Sequence, residues 1–154
     1  IHNSQFTILP GLAVTEEDRR AAIAEYIQAD AYAAKLGATI EAIEPGYSRV
    51  SLTVTEEMVN FHGITHGGIV FSLGDIAFSA AGNSRGQTAV ALDMHISFLK
   101  ATAPGDHLVA EARELHLAGP LGLYQITVVE ANRGELVAQI QARGYRKREW
   151  FVEP

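Results

Sequence analysis

The hydrophobic pattern is clearest in the middle of the chain, where it predicts one long helix. The segment His66–Asn83 is apolar nearly all round, and one stripe of it has helical spacing: Ile69, Leu73, Ile76 and Ala80. At about 100° per residue, this stripe faces a sheet and Asp75 projects nearly opposite to it. Phe71 and Phe78 flank Asp75 at i−4 and i+3, which an exposed helix face would not normally carry. We therefore expect a second copy of the chain to cover that face and to leave Asp75 in an apolar cleft.

Two further elements are predicted before this helix. Residues Thr15–Asp18 resemble a capping box, which starts a helix that runs to about Lys35 and ends at Gly37. Its apolar stripe is narrow, so we expect it on the outside of the domain, with a ligand lid as the functional alternative. The period then changes to two, and Pro45-Gly46 divides the alternating segment into a β-hairpin. Residues 55–65 break the alternation and predict a short helical turn and a loop.

Four strands are predicted after the central helix. The alternating segments span residues 90–98, 108–113, 121–130 and 136–146. Short polar turns join them, which is typical of an antiparallel meander. With the first hairpin they predict an α+β fold, in which an antiparallel sheet of five to six strands wraps around one long central helix. An irregular arm and the extra N-terminal helix occupy residues 1–38, the main domain residues 39–148 and a tail residues 149–154.

Composition narrows the classes of partner. A chain of 154 residues supports one domain, and its 47% apolar and 19% charged residues are ordinary for a globular protein. A formal charge of −6 argues against nucleic acid or an anionic membrane as the main partner. No apolar run reaches about 18 residues and no secretory leader is visible, so we expect a cytoplasmic protein.

Several kinds of chemistry are excluded or disfavoured. The chain has no cysteine, which removes disulfides, thiolate catalysis and cysteine-rich metal sites. His62 and His66 have i,i+4 spacing, but Gly63 lies between them and no third ligand is obvious, so no metal is expected. The sequence also has neither a phosphate-binding loop of the P-loop type nor a GxSxG elbow.

The start of the central helix and its one acid are the candidates for chemistry. Gly67 and Gly68 leave backbone N–H groups unscreened at the positive end of the helix dipole, where an anion or a developing oxyanion can bind. Asp75 can act as a general base or as a nucleophile, and the residues do not choose between these roles. Either role needs a charged carboxylate, for which Ser72 or Ser79 are possible donors.

A spaced set of residues resembles the hotdog-fold acyl-CoA thioesterases: Asn60, His66-Gly67-Gly68 six positions later, and Asp75 nine positions after the histidine. Asn83-Ser84-Arg85-Gly86, Phe98 and Pro104-Gly105-Asp106 resemble the phenylacetyl-CoA thioesterase branch in particular. The resemblance covers roughly residues 39–146. It implies a hotdog fold, hydrolysis of small aryl-acyl-CoA thioesters without a cofactor, and a homodimer that forms the site and pairs into a homotetramer.

The resemblance also implies roles for the motif residues. Asp75 would be the catalytic carboxylate, the N–H of Gly67 the oxyanion donor, Asn60 a ligand of water or of the acyl carbonyl, and His66 a residue that positions the substrate or the helix start. Each has a plainer alternative. Asp75 could be a surface residue or a buried acid that makes a structural hydrogen bond, and Asn60 could satisfy a turn. His66 could cap the helix, and the two glycines could allow a tight entry turn. A non-catalytic acyl-CoA-binding module and a hotdog hydratase or dehydratase are the alternative functions.

Further residues are candidates for binding acyl-CoA. Gly68, Phe71 and Phe78 would line the cleft. Asp93 and His95 share one side of a strand and form either part of the site or a solvated face; family members often carry a hydroxyl or thiol residue near Asp93, from which this chain departs. For the CoA nucleotide the first candidates are Arg85 and Lys100. Weaker candidates are Arg113, Arg143, Arg146, Lys147 and Arg148.

Overall fold

A computed structural model describes residues 15–154, and the predicted arm Ile1–Val14 lies outside these residues. The helices are α1 (Glu16–Gln28), α2 (Ala31–Leu36) and α3 (Gly67–Asn83), and a single 3-10 turn spans Glu56–Met58. The strands are β1 (Thr39–Glu44), β2 (Tyr47–Thr53), β3 (Gln87–Phe98), β4 (His107–Ala118), β5 (Leu121–Glu130) and β6 (Glu135–Trp150). This is the predicted α+β architecture, with six strands and one long helix. Within residues 15–154 no helix combines the length and hydropathy needed to cross a membrane.

The six strands form one antiparallel sheet in the order β1-β2-β4-β5-β6-β3. The predicted four-strand meander is wrong in one respect, because β3 pairs with β6 and not with β4. The edge of β4 that a simple meander would give to β3 is occupied by β2, which pairs with β4 from Tyr47 to Thr53. As a result β3 is an edge strand. Its outer edge has no partner strand within residues 15–154.

Helix α3 packs closely on the sheet. Three of the four residues predicted to face it, Leu73, Ile76 and Ala80, are buried, and Ile69 packs at the margin of the core. Gly74 allows the close approach, because a Cβ built on it would lie 2.3 Å from Cδ1 of the fully buried Ile140. The sheet therefore covers one side of α3, and the opposite side of the helix does not contact the sheet.

The N-terminal segment contains two helices and not the single one that the sequence predicts. The capping box at Thr15 is present, and Gly37 ends α2 with a φ of 77°. Between them Asp30 caps α2, since its Oδ1 accepts hydrogen bonds from the N–H groups of Tyr32 at 2.8 Å and Ala33 at 2.9 Å. A competing cap of this kind ends α1 at Gln28 and starts a second helix at Ala31.

The C-terminal tail packs on α1. Strand β6 continues to Trp150, slightly past the predicted limit of the main domain, because Trp150 pairs with Gln87 of β3. The ring of Phe151 then stacks on Tyr26 of α1 at a centroid distance of 4.4 Å. The two ends of the described chain thus lie together, away from the start of α3.

The contact at Gly74 predicts a matched pair of stability effects. Gly74→Ala places a methyl group against Ile140 and should lower the free energy of unfolding by about 1–3 kcal/mol, as overpacked cores do. Gly82→Ala on the same helix meets only the Cβ of Ala89 at 3.7 Å, an ordinary contact. It should be neutral or stabilise by about 0.5–1 kcal/mol through helix propensity. Urea denaturation checks both; equal effects of the two variants would contradict the close approach.

Candidate active site

The start of α3 has one free backbone donor. His66 is the N-cap, and its Nδ1 accepts a hydrogen bond from the N–H of Gly68 at 2.9 Å. The accepting Nδ1 carries no proton, so the neutral ring holds its proton on Nε2. Within residues 15–154 the N–H of Gly67 donates to no group. The capping alternative for His66 is therefore observed, and Gly67 keeps the donor that could meet an oxyanion.

Asn60 shapes the loop that leads into α3. Its Oδ1 accepts a hydrogen bond from the N–H of His62 at 2.9 Å, and its backbone N–H donates to the carbonyl of Ile64 at 2.8 Å. The loop is closed by an isolated bridge between Val59 and Thr65. The turn role of Asn60 is thus present. Its Nδ2 has no acceptor within the described residues and is available to a water or a carbonyl oxygen.

Asp75 belongs to a stripe of α3 that this chain leaves uncovered. The stripe consists of Gly68, Ser72, Asp75 and Ser79, each of which is exposed or half-buried. Within residues 15–154 no group donates a hydrogen bond to the Asp75 carboxylate, neither Ser72 nor Ser79 among them. Burial raises the pKa of Asp75, and the negative charge of Asp30 raises that pKa further. The result is a poorly solvated carboxylate that is a stronger base than an ordinary aspartate.

The two phenylalanines beside Asp75 have different environments. Phe71 is half-buried next to the uncovered stripe. Phe78 is buried in the core, where its ring packs edge-on against Tyr124 at 5.1 Å, so the expectation that it lines the cleft is wrong. Residues three apart on a helix differ by about 60° around the axis, and this turn brings Phe78 to the side that faces the sheet.

One copy of the chain does not bring the motif residues together. Asn60, His66 and Gly67 lie at the start of α3, whereas Asp75 lies eight residues after Gly67 on the same helix. At about 1.5 Å of rise per residue this separates them by about 12 Å along the axis. A catalytic group must come within about 3 Å of the atom on which it acts. Gly67 and Asp75 of the same copy therefore cannot act on one thioester carbonyl.

Three of the first candidates for binding acyl-CoA form ion pairs within their own chain, and so do the weaker candidates Arg113 and Arg143. Arg85 makes a bidentate pair with Glu114 at 2.6 and 3.0 Å, and Glu114 also accepts a hydrogen bond from the Tyr124 hydroxyl. Burial, together with the Glu114 charge, raises the pKa of Tyr124 to about 12. Lys100 pairs with Glu135 at 2.8 Å. These contacts make Arg85 part of a cluster that ties the end of α3 to the sheet.

Asp93 forms the third of these pairs, on the edge strand. It bonds through both carboxylate oxygens to Nε of Arg143 on β6, at 2.8 and 3.1 Å, and Arg143 holds the pKa of Asp93 below its ordinary value. Asp93 and its neighbour His95 are exposed in this copy. Both face outward along a strand whose own edge is unpaired.

A basic cavity at the turn between β4 and β5 is lined by cations that were only the weaker candidates in the sequence analysis. Its volume is about 300 Å³, and its walls are formed by Gln87, Gly119, Pro120, Tyr145, Arg146, Lys147 and Arg148. Nε of Arg146 is buried there and has no hydrogen-bond partner within residues 15–154. Within residues 15–154 neither Lys147 nor Arg148 forms an ion pair. The run of cations between Arg143 and Arg148 is the sequence pattern that points to this cavity. The pattern is weak evidence, because surface cations are usually only solvated.

Residues 15–154 contain no group of three or more histidine, aspartate or glutamate side chains arranged to hold a metal ion. The available groups at the site are thus a carboxylate, an amide, an imidazole and backbone N–H groups. Such a set can stabilise charge and move a proton.

Comparison with known proteins places these features in a family. The profile of the thioesterase superfamily matches residues 62–137. The chain is 39% identical to the acyl-coenzyme A thioesterase PaaI of Escherichia coli over 117 residues, which are 76% of this chain and 83% of that protein. It is 43% identical to a putative esterase of Deinococcus radiodurans over 113 residues, 73% of this chain and 77% of that one. The solved structure of E. coli PaaI, described as from the phenylacetic acid degradation operon, superposes with a TM-score of 0.82 at 35% identity. That match covers 86% of this chain and 96% of the other.

Proposed function

Because the chain belongs to the thioesterase superfamily and is an acyl-CoA thioesterase of the PaaI type with a hotdog fold, we propose that it hydrolyses small aryl-acyl-CoA thioesters. Phenylacetyl-CoA and hydroxyphenylacetyl-CoA are the substrates we expect, with the free acid and CoA as products. The observation that carries the proposal is Asp75, a half-buried carboxylate with a raised pKa beside the half-buried Phe71. No group within residues 15–154 donates a hydrogen bond to the Asp75 carboxylate. The operon of the similar E. coli protein supports the aryl group.

Two routes use Asp75, and both conserve atoms. As a general base it takes a proton from water while the water oxygen attacks the thioester carbon, and the expelled CoA thiolate then takes that proton back. As a nucleophile it attacks the thioester carbon and CoA leaves as the thiolate. Water then hydrolyses the resulting anhydride, which regenerates the Asp75 carboxylate, releases the acid and supplies the proton that the CoA thiolate takes up. Poor solvation makes the carboxylate more reactive on either route.

The start of α3 supplies the complementary charge. When the thioester carbon becomes tetrahedral, its oxygen becomes negative and needs a donor that is already in place. The free N–H of Gly67 fits this role, since the dipole of α3 points its positive end at the same position. The free Nδ2 of Asn60 fits the role of holding the acyl carbonyl or the attacking water.

The site is shared between two copies in this proposal. Gly67 and Asp75 lie about 12 Å apart on one helix, so a second, antiparallel copy has to bring its Gly67 to the first copy's Asp75. Strand β3 offers a surface for this contact, because it is an unpaired edge with exposed apolar side chains at Val90, Leu92 and Phe98. A homodimer built across β3 would also cover the free stripe of α3. Pairing of two such dimers into a homotetramer and a cytoplasmic location complete the proposal.

The basic cavity fits the phosphate groups of CoA. Arg146, Lys147 and Arg148 place three cations around it, in a chain whose formal charge is −6. Arginine and lysine are the residues that recognise phosphate in proteins. Arg85 and Lys100, by contrast, already neutralise Glu114 and Glu135. We therefore assign the nucleotide to the cavity in preference to those two residues.

Asp75→Asn should keep the fold and lower kcat for phenylacetyl-CoA by about 10²–10⁴-fold, the usual contribution of a general base. Removing a poorly solvated charge should leave the melting temperature unchanged or raise it. In the wild type, activity requires the ionised carboxylate, so kcat/KM should fall as pH decreases through the pKa of Asp75. Because that pKa is raised, the fall should occur above the value of about 3.9 of an ordinary aspartate. Stopped-assay rates across pH check this; a folded variant within a few-fold of wild-type kcat would contradict the role.

Gly67→Pro deletes the proposed oxyanion donor at a helix position that tolerates proline. Proline is well tolerated at the first position of a helix, and the preceding His66 has a ψ of 133°, which suits a residue before proline. We expect kcat to fall by about 10²–10³-fold with a smaller change in KM. Gly67→Ala is the matched control, since its Cβ also meets the Phe98 ring at 3.2 Å but it keeps the N–H. Equal losses in both variants would assign the effect to crowding instead.

Mixing the two inactive variants then tests whether the site is shared. In a hybrid dimer of Asp75→Asn and Gly67→Pro chains, one of the two shared sites has both an intact Asp75 and an intact Gly67. Random pairing after joint refolding should therefore restore about a quarter of the wild-type activity. A site formed within one copy would give no restoration. Sedimentation of the wild type as a monomer at micromolar concentration would also refute the shared site.

The cavity has its own test. The double variant Lys147→Ala and Arg148→Ala should raise KM for phenylacetyl-CoA by about tenfold or more, since two charged phosphate contacts are lost. Its KM for phenylacetyl-pantetheine, which lacks the nucleotide, should not change. Arg20→Ala removes a cation from the exposed surface of α1 and serves as the control. Equal effects on both substrates would place the nucleotide elsewhere.

A further inference from the structure

Tyr32 on α2 is fixed at two points and still presents half of its surface to solvent. Its N–H donates to Oδ1 of Asp30, and its hydroxyl lies 2.9 Å from Oγ of Ser72 on α3. The side chain nevertheless remains 53% exposed. A tyrosine that serves only to pack would bury its ring, whereas this one is held in place with its aromatic surface open.

Two observations place this part of the chain near Asp75. Ser72 and Asp75 are three residues apart on α3, so their side chains are neighbours on one face. Asp30, two residues before Tyr32, lies close enough to Asp75 for its charge to act on that carboxylate. The junction of α1 and α2 therefore reaches the stripe of α3 at Ser72, next to Asp75.

We propose that Tyr32 forms a wall of the acyl-binding pocket and selects for aromatic acyl groups. The inference rests on the proposed function, because a thioester that reacts at Asp75 must place its acyl group within a few ångströms of the neighbouring turn, to which Tyr32 is tied. The bond to Ser72 satisfies the hydroxyl, so the ring can offer its apolar surface without an unpaired polar group. Two aromatic rings in contact gain more than their buried area alone provides.

The role of Tyr32 differs from that of a catalytic group. Its hydroxyl is engaged with Ser72 and it carries no charge that could move a proton at the thioester. It acts on which acyl group fits, so its removal should change aryl and alkyl substrates unequally. Tyr32 lies in the N-terminal helical segment, which the sequence analysis expects on the outside of the domain. The hydrogen bond between its hydroxyl and Ser72 of α3 is therefore a finding of the structure.

The experiment compares kcat/KM for phenylacetyl-CoA and hexanoyl-CoA in a set of variants. Tyr32→Leu keeps an apolar side chain of similar reach but loses the ring, and it should lower the ratio of aryl to alkyl kcat/KM by about 3- to 10-fold. Tyr32→Phe and Ser72→Ala remove the tether and keep the ring, so they should lower the ratio less. Tyr26→Leu is the matched control, since Tyr26 is a similarly exposed tyrosine on α1 that stacks on Phe151 of the C-terminal tail. It should leave the ratio unchanged.

The outcomes separate this inference from the proposed function. A wild type that hydrolyses neither ester refutes the proposed function and this inference with it. A wild type that prefers hexanoyl-CoA refutes the aryl preference, whereas a shifted ratio in Tyr32→Leu alone still supports the pocket wall. An unchanged ratio in Tyr32→Leu, or an equal shift in Tyr26→Leu, overturns the pocket wall. If Tyr32→Leu does not fold by circular dichroism, the ratio measured in Tyr32→Phe and Ser72→Ala decides in the same way.

Discussion

The close contact between α3 and the sheet is the constraint on which the rest of the structure depends. Gly74 lets the helix approach until its neighbours Leu73 and Ala77 are fully buried against the sheet. A helix held this tightly on one side has a fixed rotation about its own axis, because interdigitated core side chains tolerate little displacement. The rotation in turn fixes where the opposite stripe points. Asp75 therefore owes its position to residues that take no part in chemistry.

The length of α3 imposes the second constraint. A helix start offers free N–H donors, and a carboxylate two turns later offers a base, but a rigid rod keeps them about 12 Å apart. A fold that uses both groups on one substrate needs a second helix that runs the opposite way. The free edge of β3 allows this at low cost, since antiparallel pairing of two identical strands generates a twofold axis. Edge exposure, which most proteins must avoid, would become the means of assembly in the proposed homodimer.

Local patterns in the sequence predicted the helices and strands well, but they did not predict the long-range contacts. The capping box at Thr15, the hairpin at Pro45-Gly46 and the start of α3 all depend on residues within one or two turns, so they can be read directly. The order of strands depends on the pairing of β2 with β4, which no local pattern encodes. The break at Asp30 was missed because one cap competed with an otherwise helical segment.

The candidate site divides in the same way. The motif residues Asn60, Gly67 and Asp75 are defined by spacing along the chain, and the structure puts each on the element expected for it. The partners of charged side chains are not defined by spacing. Arg85 finds Glu114 and Asp93 finds Arg143 only once the sheet has formed, which neutralises residues that looked available in the sequence. Phe78 was assigned to the cleft because a period alone does not show how far the sheet wraps around a helix.

The electrostatics of Asp75 combine two requirements that oppose each other. A base is stronger when its pKa is higher, but it is also protonated more often, so the best value lies near the working pH. Burial and the charge of Asp30 both raise the pKa of Asp75 from the low value of an ordinary aspartate. From that starting point a rise in the pKa increases the basicity of the carboxylate. In the shared site the second copy would remove more water, and the positive end of its α3 would favour the ionised form. The same assembly that completes the site would thus also limit how far the pKa of its base can rise.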